Sequence, residues 1–112
     1  MNIEQDKLTL NDYQRLASGT AIYKGGLTYC LLGLTNEAGE AAGVLKKIYR
    51  QDSKWTVHSK RKLQAELGDV LWYLAMCAKE MNLSLEDIAI ANLDKLESRQ
   101  QRGVIKGDGD ER

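Results

Sequence analysis

The sequence predicts an all-α protein of antiparallel helices joined by short loops, a four-helix-type bundle. Apolar residues recur at spacings of three and four over the long stretches, which is the period of an amphipathic helix. No stretch has the strict alternation of apolar and polar residues that is typical of a half-buried strand. The 112 residues fit one domain with one hydrophobic core. Residues 103–112 are glycine-rich and charged, and we expect them to form a flexible tail or a mobile cover over a site.

Capping patterns predict where the first and last helices begin. Asp12 follows Thr9 by three residues, so each side chain can bond the other residue's backbone N–H at a helix start. This helix is expected to end at the glycine pair within 24–26. Ser84 and Asp87 repeat the pattern, and the last helix is expected to run from there to about Arg102.

Two long helices are predicted between these, from about Thr28 to Arg50 and from about Ser59 to Met81, with a polar loop at 51–54. The apolar stripe expected to form the core of the second helix consists of Leu31, Leu34, Ala38, Ala41, Leu45 and Ile48. The stripe expected on the third helix consists of Leu63, Leu67, Val70, Leu74, Cys77 and Met81.

Composition excludes several classes of function. Lys plus Arg number 16 and Asp plus Glu number 16, and this balance argues against general attraction to nucleic acid or membranes. No apolar run approaches the length of about 18 residues that a transmembrane helix needs. The first six residues are polar and acidic, unlike a signal peptide, so a cytoplasmic location is expected. Cys30 and Cys77 are expected to be small core residues.

A four-residue motif of Glu, any residue, Gly and an acid occurs at 37–40 and again at 66–69. Because residues three apart share one face of a helix, each motif aims two carboxylates in the same direction. The 25 residues from 41 to 65 are enough for the chain to turn and return beside itself. Glycine inside a helix costs about 1 kcal/mol relative to alanine. Gly39 and Gly68 therefore suggest a close approach of two backbones.

The four acids of these motifs are expected to line a groove at the edge of the core. At 100° per residue both pairs border the apolar stripes instead of lying opposite them. Two carboxylates about 6 Å apart repel by roughly 3 kcal/mol at an effective dielectric of 20, so four need either protonation or bound cations. Oxygen-only ligands favour Mg²⁺, with Mn²⁺ possible. The predicted metal ligands and catalytic residues are Glu37, Glu40, Glu66 and Asp69. Alternatively, one of the glutamates orients or deprotonates the attacking water instead, and the sequence does not indicate which.

Other metals and an ordinary solvated surface are the alternatives to this site. Zinc is disfavoured because His58 and the two cysteines are not on the acidic face. A di-iron bundle would need Glu-x-x-His on two helices, and neither motif contains histidine. A single Glu-x-x-Glu is common as an exposed charge pair, but two matched copies beside the core favour metal binding.

Polar residues at matching edges predict the substrate-binding groups. Asn92, Lys95 and Arg99 share a face of the last helix, which suits phosphate binding or, alternatively, only a solvated surface. Lys47 lies on the face of the first acidic motif and is a weaker phosphate candidate. Tyr73 lies on the face of the second, where it could contact a phosphate or sugar hydroxyl or pack at an interface. Acids holding Mg²⁺ opposite cations suggest polyphosphate hydrolysis by a metal-activated water.

These motifs resemble those of the MazG-like all-α nucleoside triphosphate pyrophosphohydrolases. Residues 32–40 look like the first motif of that family, residues 66–74 look like the second, and residues 92–99 are similar to its C-terminal phosphate-binding segment. Asn36 stands where many relatives have a further acid. The resemblance implies Mg²⁺-dependent cleavage between the α- and β-phosphates, giving a nucleoside monophosphate and pyrophosphate. It also implies a homodimer or homotetramer with sites built partly at subunit contacts.

Two further interpretations stay open at the level of sequence. One is an enzyme of the same fold that acts on another diphosphate, such as a phosphoribosyl-ATP intermediate. The other is a non-catalytic helical interaction module whose acids are only surface charges. Base and sugar preference depend on the shape of the pocket and are not predicted.

Overall fold

The computed structural model describes residues 7–51 and 54–112, and within them it contains four helices and no strand. The helices are α1 Leu10–Ser18, α2 Gly26–Arg50, α3 Val57–Glu80 and α4 Leu85–Gln101. The all-α prediction is confirmed, with three of the four helices close to their predicted bounds. Residues 1–6, and 52–53 of the predicted loop, lie outside the described residues. No described helix combines the length and apolar character needed to cross a membrane.

The predicted capping boxes are present at both flanking helices. The backbone N–H of Asp12 donates to the Thr9 hydroxyl over 3.0 Å, and the Thr9 N–H donates to the Asp12 carboxylate over 3.2 Å. Ser84 and Asp87 make the same reciprocal pair at α4, with both distances 3.0 Å. Each pair satisfies backbone N–H groups that the first turn leaves without a helical partner.

The predicted end of the first helix is wrong. α1 ends at Ser18, where the Gly19 N–H turns back to the Leu16 carbonyl over 3.2 Å. The Thr20 hydroxyl donates to the Ala17 carbonyl over 2.7 Å, which satisfies another open acceptor of the last turn. The glycine pair instead leads into α2, since Gly25 and Gly26 have φ of +105° and +58°. Such left-handed backbone favours glycine, so the pair marks the start of α2.

The two long helices form an antiparallel hairpin, and the short helices pack at one end of it. α3 contacts all three other helices, whereas among the described elements α2 approaches only α3. The main buried cluster therefore lies at the N-terminal end of α2 and the C-terminal end of α3. Its members are Ala17, Cys30, Ala75, Met76, Cys77 and Leu85. Val44 and Ile48 are also buried, near the other end of α2. Both cysteines are buried and free, as predicted.

Gln14 joins α1 to the junction between α3 and α4. Its amide nitrogen donates to the carbonyls of Ala75, over 3.2 Å, and Leu83, over 3.1 Å. Its amide oxygen accepts the N–H of Leu85 over 2.9 Å. One side chain thus satisfies three backbone groups at the junction of α3 and α4, and it fixes α1 against that end of the hairpin.

The predicted apolar stripes are only partly buried. Leu31 and Leu67 are each 53% exposed, while the small residues at the end of α3 are buried by three neighbouring helices. The physical reason is that α2 has a single helical neighbour, so most of its apolar face has nothing to cover it. The radius of gyration is 16.9 Å, compared with about 13 Å for a compact domain of this size. The end of the hairpin that lies away from α1 and α4, which we call the open end, is thus a two-helix structure.

Candidate functional site

Three predicted acids come together midway along the hairpin. Glu37 of α2 and Glu66 and Asp69 of α3 each offer one carboxylate oxygen, and these oxygens all lie within 4.8 Å of one another. Glu37 and Glu66 are half-buried, and Asp69 is exposed. The antiparallel pairing of α2 with α3 places the two acidic motifs level with each other, so the juxtaposition follows from sequence spacing. We call these three residues the acid cluster.

The pKa of Glu37 is raised by its position in the acid cluster. Burial raises the pKa of this carboxyl, and the negative charges of Asp69, Glu66 and Glu40 raise it further. Both causes disfavour its ionised form. A bound cation would offset the repulsion that these charges create.

The donor set of the acid cluster fits a hard divalent ion. It consists of carboxylate oxygens alone, which suits Mg²⁺ or Mn²⁺ better than zinc. Opposite ligands of an octahedral Mg²⁺ site are about 4.2 Å apart, twice the metal–oxygen distance. The 4.8 Å spread of the three oxygens is close to that value, so a small inward movement would let all three reach one ion.

Glu40 lies outside the acid cluster. It is exposed on α2, one turn beyond Glu37. Its charge nevertheless contributes to the raised pKa of Glu37, so it belongs to the same electrostatic environment. The structure thus brings three of the four predicted acids together and leaves the fourth beside them.

A cavity of about 310 Å³ opens next to the acid cluster and is lined by Glu37, Asp69, Trp72 and Tyr73. The rings of Trp72 and Tyr73 meet edge to face, with centroids 5.0 Å apart. The Trp72 indole N–H donates to the Thr20 hydroxyl over 3.0 Å, which orients the ring. Trp72 is not among the predicted site residues. Its spacing of three residues from Asp69 is the sequence signal that places it on the acidic face.

Tyr73 lies across α2 beside the acid cluster because Gly33 has no side chain. A Cβ added at Gly33 would lie 2.2 Å from the Tyr73 ring. The Tyr29 hydroxyl and burial raise the pKa of Tyr73, so its phenol stays protonated and can donate a hydrogen bond. Gly33 thus allows this phenol to stand next to the carboxylates.

The close backbone approach predicted at the glycines of the acidic motifs is wrong within this chain. A Cβ added at Gly39 or at Gly68 would meet no atom of the described residues within 4 Å. The tight helix contact occurs at Gly33 instead, against a side chain and not a backbone.

The predicted cations lie elsewhere in this chain. Lys95 and Arg99 of α4 bind the carboxylate of Asp110, each over 3.0 Å. Asn92 is exposed on α4, and Lys47 is exposed in the last turn of α2, roughly 15 Å along the helix axis from Glu37 at 1.5 Å per residue. None of these cations is among the charges that shift the pKa of Glu37. Their contacts with a substrate stay predictions.

Comparison with known proteins identifies the family of the chain. The family model of the MazG nucleotide pyrophosphohydrolase domain matches residues 26–104, which span both acidic motifs and α4. The chain is similar to the Gene 37 protein of Mycobacterium phage L5, with 48% identity over 109 residues. That alignment covers 89% of this chain and 96% of the phage protein. No solved structure matches the chain significantly. Because the family model covers well over half of the sequence, the chain belongs to the MazG nucleotide pyrophosphohydrolase family.

Proposed function

We propose that this chain is a Mg²⁺-dependent nucleoside triphosphate pyrophosphohydrolase. Its reaction would be attack of water on the α-phosphorus of a nucleoside or deoxynucleoside triphosphate, giving the monophosphate and pyrophosphate. The observation that carries the proposal is the acid cluster, three carboxylates within 4.8 Å on two facing helices, in a chain of the pyrophosphohydrolase family. Two of the three acids are half-buried, whereas an ordinary solvated helix face would leave all of them exposed.

The acids would divide into metal ligands and a group that handles the attacking water. Glu37, Glu66 and Asp69 would hold Mg²⁺, or Mn²⁺ in its place. When bound, the ion neutralises phosphate oxygens and lowers the pKa of a water molecule. Glu40 is exposed, outside the cluster and one turn away, so it is free to orient that water and accept its proton. No Ser or Cys nucleophile is required, which is consistent with both cysteines being buried in the core.

The substrate's phosphates and sugar would be bound by the remaining predicted residues. Lys95 and Arg99 would take up negative charge on the departing pyrophosphate, which accelerates the reaction only if it is stronger in the transition state. Asn92 would donate hydrogen bonds to the same groups, with Lys47 as a weaker phosphate contact. The protonated Tyr73 phenol lines the cavity beside the acid cluster and would donate to a phosphate or sugar oxygen.

A homodimer or homotetramer is part of the proposal. In the single chain α4 approaches α1 and α3 but not α2, and a second copy would offer its own cations to the acid cluster. The open end of the hairpin also exposes apolar side chains around a cavity of about 860 Å³, whose lining includes Trp55, Val57, Leu63 and Leu67. An apolar surface of this kind is typical of a protein interface.

Product analysis after reaction in ¹⁸O-labelled water tests the proposed chemistry. Attack at the α-phosphorus places the label in the nucleoside monophosphate and releases unlabelled pyrophosphate. Glu66→Gln, which removes one ligand charge at nearly constant size, is the matched control and should be inactive. A nucleoside diphosphate and inorganic phosphate as first products would reject the mechanism. Release of pyrophosphate from another diphosphate in a substrate panel, but from no nucleoside triphosphate, would instead support the related hydrolase.

A further inference from the structure

The segment after α4, residues 103–112, folds back onto that helix. Gly103 and Gly109 have φ of +71° and +78°, which turns the chain at two points. The Val104 N–H donates to the Arg99 carbonyl over 2.9 Å, so the reversal begins directly at the end of the helix. The guanidinium of Arg112 donates to the carbonyls of Val104, over 2.9 Å, Ile105, over 3.2 Å, and Gly109. These bonds give the segment a defined shape.

This fold places one carboxylate on the two cations of α4. An oxygen of Asp110 lies 3.0 Å from the Lys95 ammonium and 3.0 Å from Nη2 of Arg99. The Arg99 side chain is only 5% exposed, whereas that of Asp110 is 81% exposed. A buried guanidinium is thus met by an acid that stands mostly in water. Because Asp110 is already mostly hydrated, its release into water changes its own solvation little.

Asp110 pairs with only part of the hydrogen-bonding capacity of the Arg99 guanidinium. Every hydrogen bond of that guanidinium within the described residues is made by Nη2: to the Asp110 carboxylate, to the Asp110 carbonyl over 2.9 Å and to the Gly109 carbonyl over 3.5 Å. Nε is buried and has no hydrogen-bond partner. A buried unpaired donor is costly, and guanidinium binds phosphate through two parallel N–H groups where it can. A phosphate oxygen pair would therefore satisfy Arg99 better than Asp110 does.

We infer that Asp110 is an internal competitor for the phosphate site, an acid on the 103–112 segment that occupies Lys95 and Arg99 until a polyphosphate displaces it. This regulatory contact rests on the proposed function, which assigns those two cations to the substrate's phosphates. The segment would then open with each binding event. The apparent affinity for substrate is reduced by the fraction of molecules in which the segment is closed.

The test compares Asp110→Asn with Asp108→Asn. Both changes remove one negative charge from the same segment, but the Asp108 side chain has no hydrogen bond or ion pair with the described residues. Inorganic pyrophosphate is titrated into each variant by calorimetry in magnesium-free buffer, so that the acid cluster does not contribute. Asp110→Asn should lower the dissociation constant by about three- to tenfold, the range that corresponds to the net contribution of one typical hydrogen bond. Asp108→Asn should leave it within about twofold of the parent value, as expected for an exposed charge.

A further variant tests whether the anion binds at the site that Asp110 frees. Adding Lys95→Ala to Asp110→Asn should raise the dissociation constant above that of Asp110→Asn, because the anion would lose its ammonium contact and keep only Arg99. Equal affinities in Asp110→Asn and Asp108→Asn, no measurable binding to any variant, or an affinity that Lys95→Ala leaves unchanged would each overturn the inference.

The outcome is distinguishable from failure of the proposed function. If the chain hydrolyses nucleoside triphosphates, Asp110→Asn should lower KM by the same factor and leave kcat unchanged, and an unchanged KM would count against the competitor. If no hydrolysis is found but Asp110→Asn still binds pyrophosphate more tightly, the competitor stands and the proposed reaction fails.

Discussion

Gly33→Ala tests whether the contact between α2 and Tyr73 holds the site together. The added methyl carbon would lie 2.2, 2.5 and 2.6 Å from three atoms of the Tyr73 ring. Carbon atoms in contact are normally 3.5 Å or more apart. The ring must therefore move by about 1.3 Å, which changes the cavity that it lines together with Glu37 and Asp69.

Two opposing terms set the size of the effect on stability. Overpacking a well-packed contact costs about 1–3 kcal/mol. Replacing glycine by alanine within a helix returns about 1 kcal/mol. The matched control is Gly43→Ala in the same helix, where the added methyl would meet no described atom within 4 Å. The control carries the helix term alone, so the two variants should differ in free energy of unfolding by about 1–3 kcal/mol.

Urea denaturation measures this difference, and Mg²⁺ titration of the folded variants measures the effect on the site. Gly43→Ala should unfold at a higher urea concentration than the parent, whereas Gly33→Ala should unfold at a lower concentration than Gly43→Ala. Adding Tyr73→Ala should remove most of the difference, because the two positions are in direct contact. Equal stability of Gly33→Ala and Gly43→Ala would show that Tyr73 does not occupy this position.

The remaining predictions concern metal, substrate, pH and assembly. Mg²⁺ at 100 times its dissociation constant should raise the free energy of unfolding by roughly 2.7 kcal/mol; Glu66→Gln should shrink this gain in thermal melts, and identical melts of the parent with and without Mg²⁺ would contradict the shared site. Lys95→Ala should raise KM for a nucleoside triphosphate while Mg²⁺ binding stays nearly intact, and parental KM would mark Lys95 as a solvated residue. Hydrogen bonds from Lys95 and Arg99 lower the pKa of Asp110 below 3.8, so its contact is complete above that pH and is lost as pH falls through the lowered pKa. NMR titration of the carboxyl should give a pKa below 3.8 in the parent and a pKa closer to 3.8 in Lys95→Ala, where Arg99 alone still lowers it. Leu67→Gln, at a 53% exposed apolar position, should weaken self-association in analytical ultracentrifugation, and unchanged assembly would place the interface elsewhere.

The acid cluster could be predicted from sequence because it depends on two local quantities. The helical period fixes which carboxylates share a face, and the length of the intervening segment brings α3 back beside α2. Both are readable from residue spacing alone. The capping pairs at Thr9 and Ser84 were predictable for the same reason, since each involves groups three residues apart.

Features that depend on contacts between distant residues could not be predicted in this way. The tight contact at Gly33 is set by the direction of the Tyr73 ring, 40 positions later, and spacing within α2 carries no record of it. The pairing of Asp110 with α4 depends on two left-handed glycines whose φ values the composition of residues 103–112 does not specify. That composition suggested flexibility, whereas the structure shows a segment bonded to the helix before it.

The acid cluster and the cations of α4 would act on two parts of the same substrate in the proposed reaction. Among the described helices, α2, which carries Glu37, approaches only α3, whereas α4 packs against α1 and α3. The exposed apolar residues of the hairpin lie on the same two helices as the acids, so the proposed second copy would contact those two helices if it buries them. In the chain without bound phosphate, Asp110 neutralises Lys95 and the buried Arg99 guanidinium. Assembly and phosphate binding would thus both act on Lys95 and Arg99. Assembly would supply the acid cluster that these cations face, and phosphate binding would displace Asp110 from them.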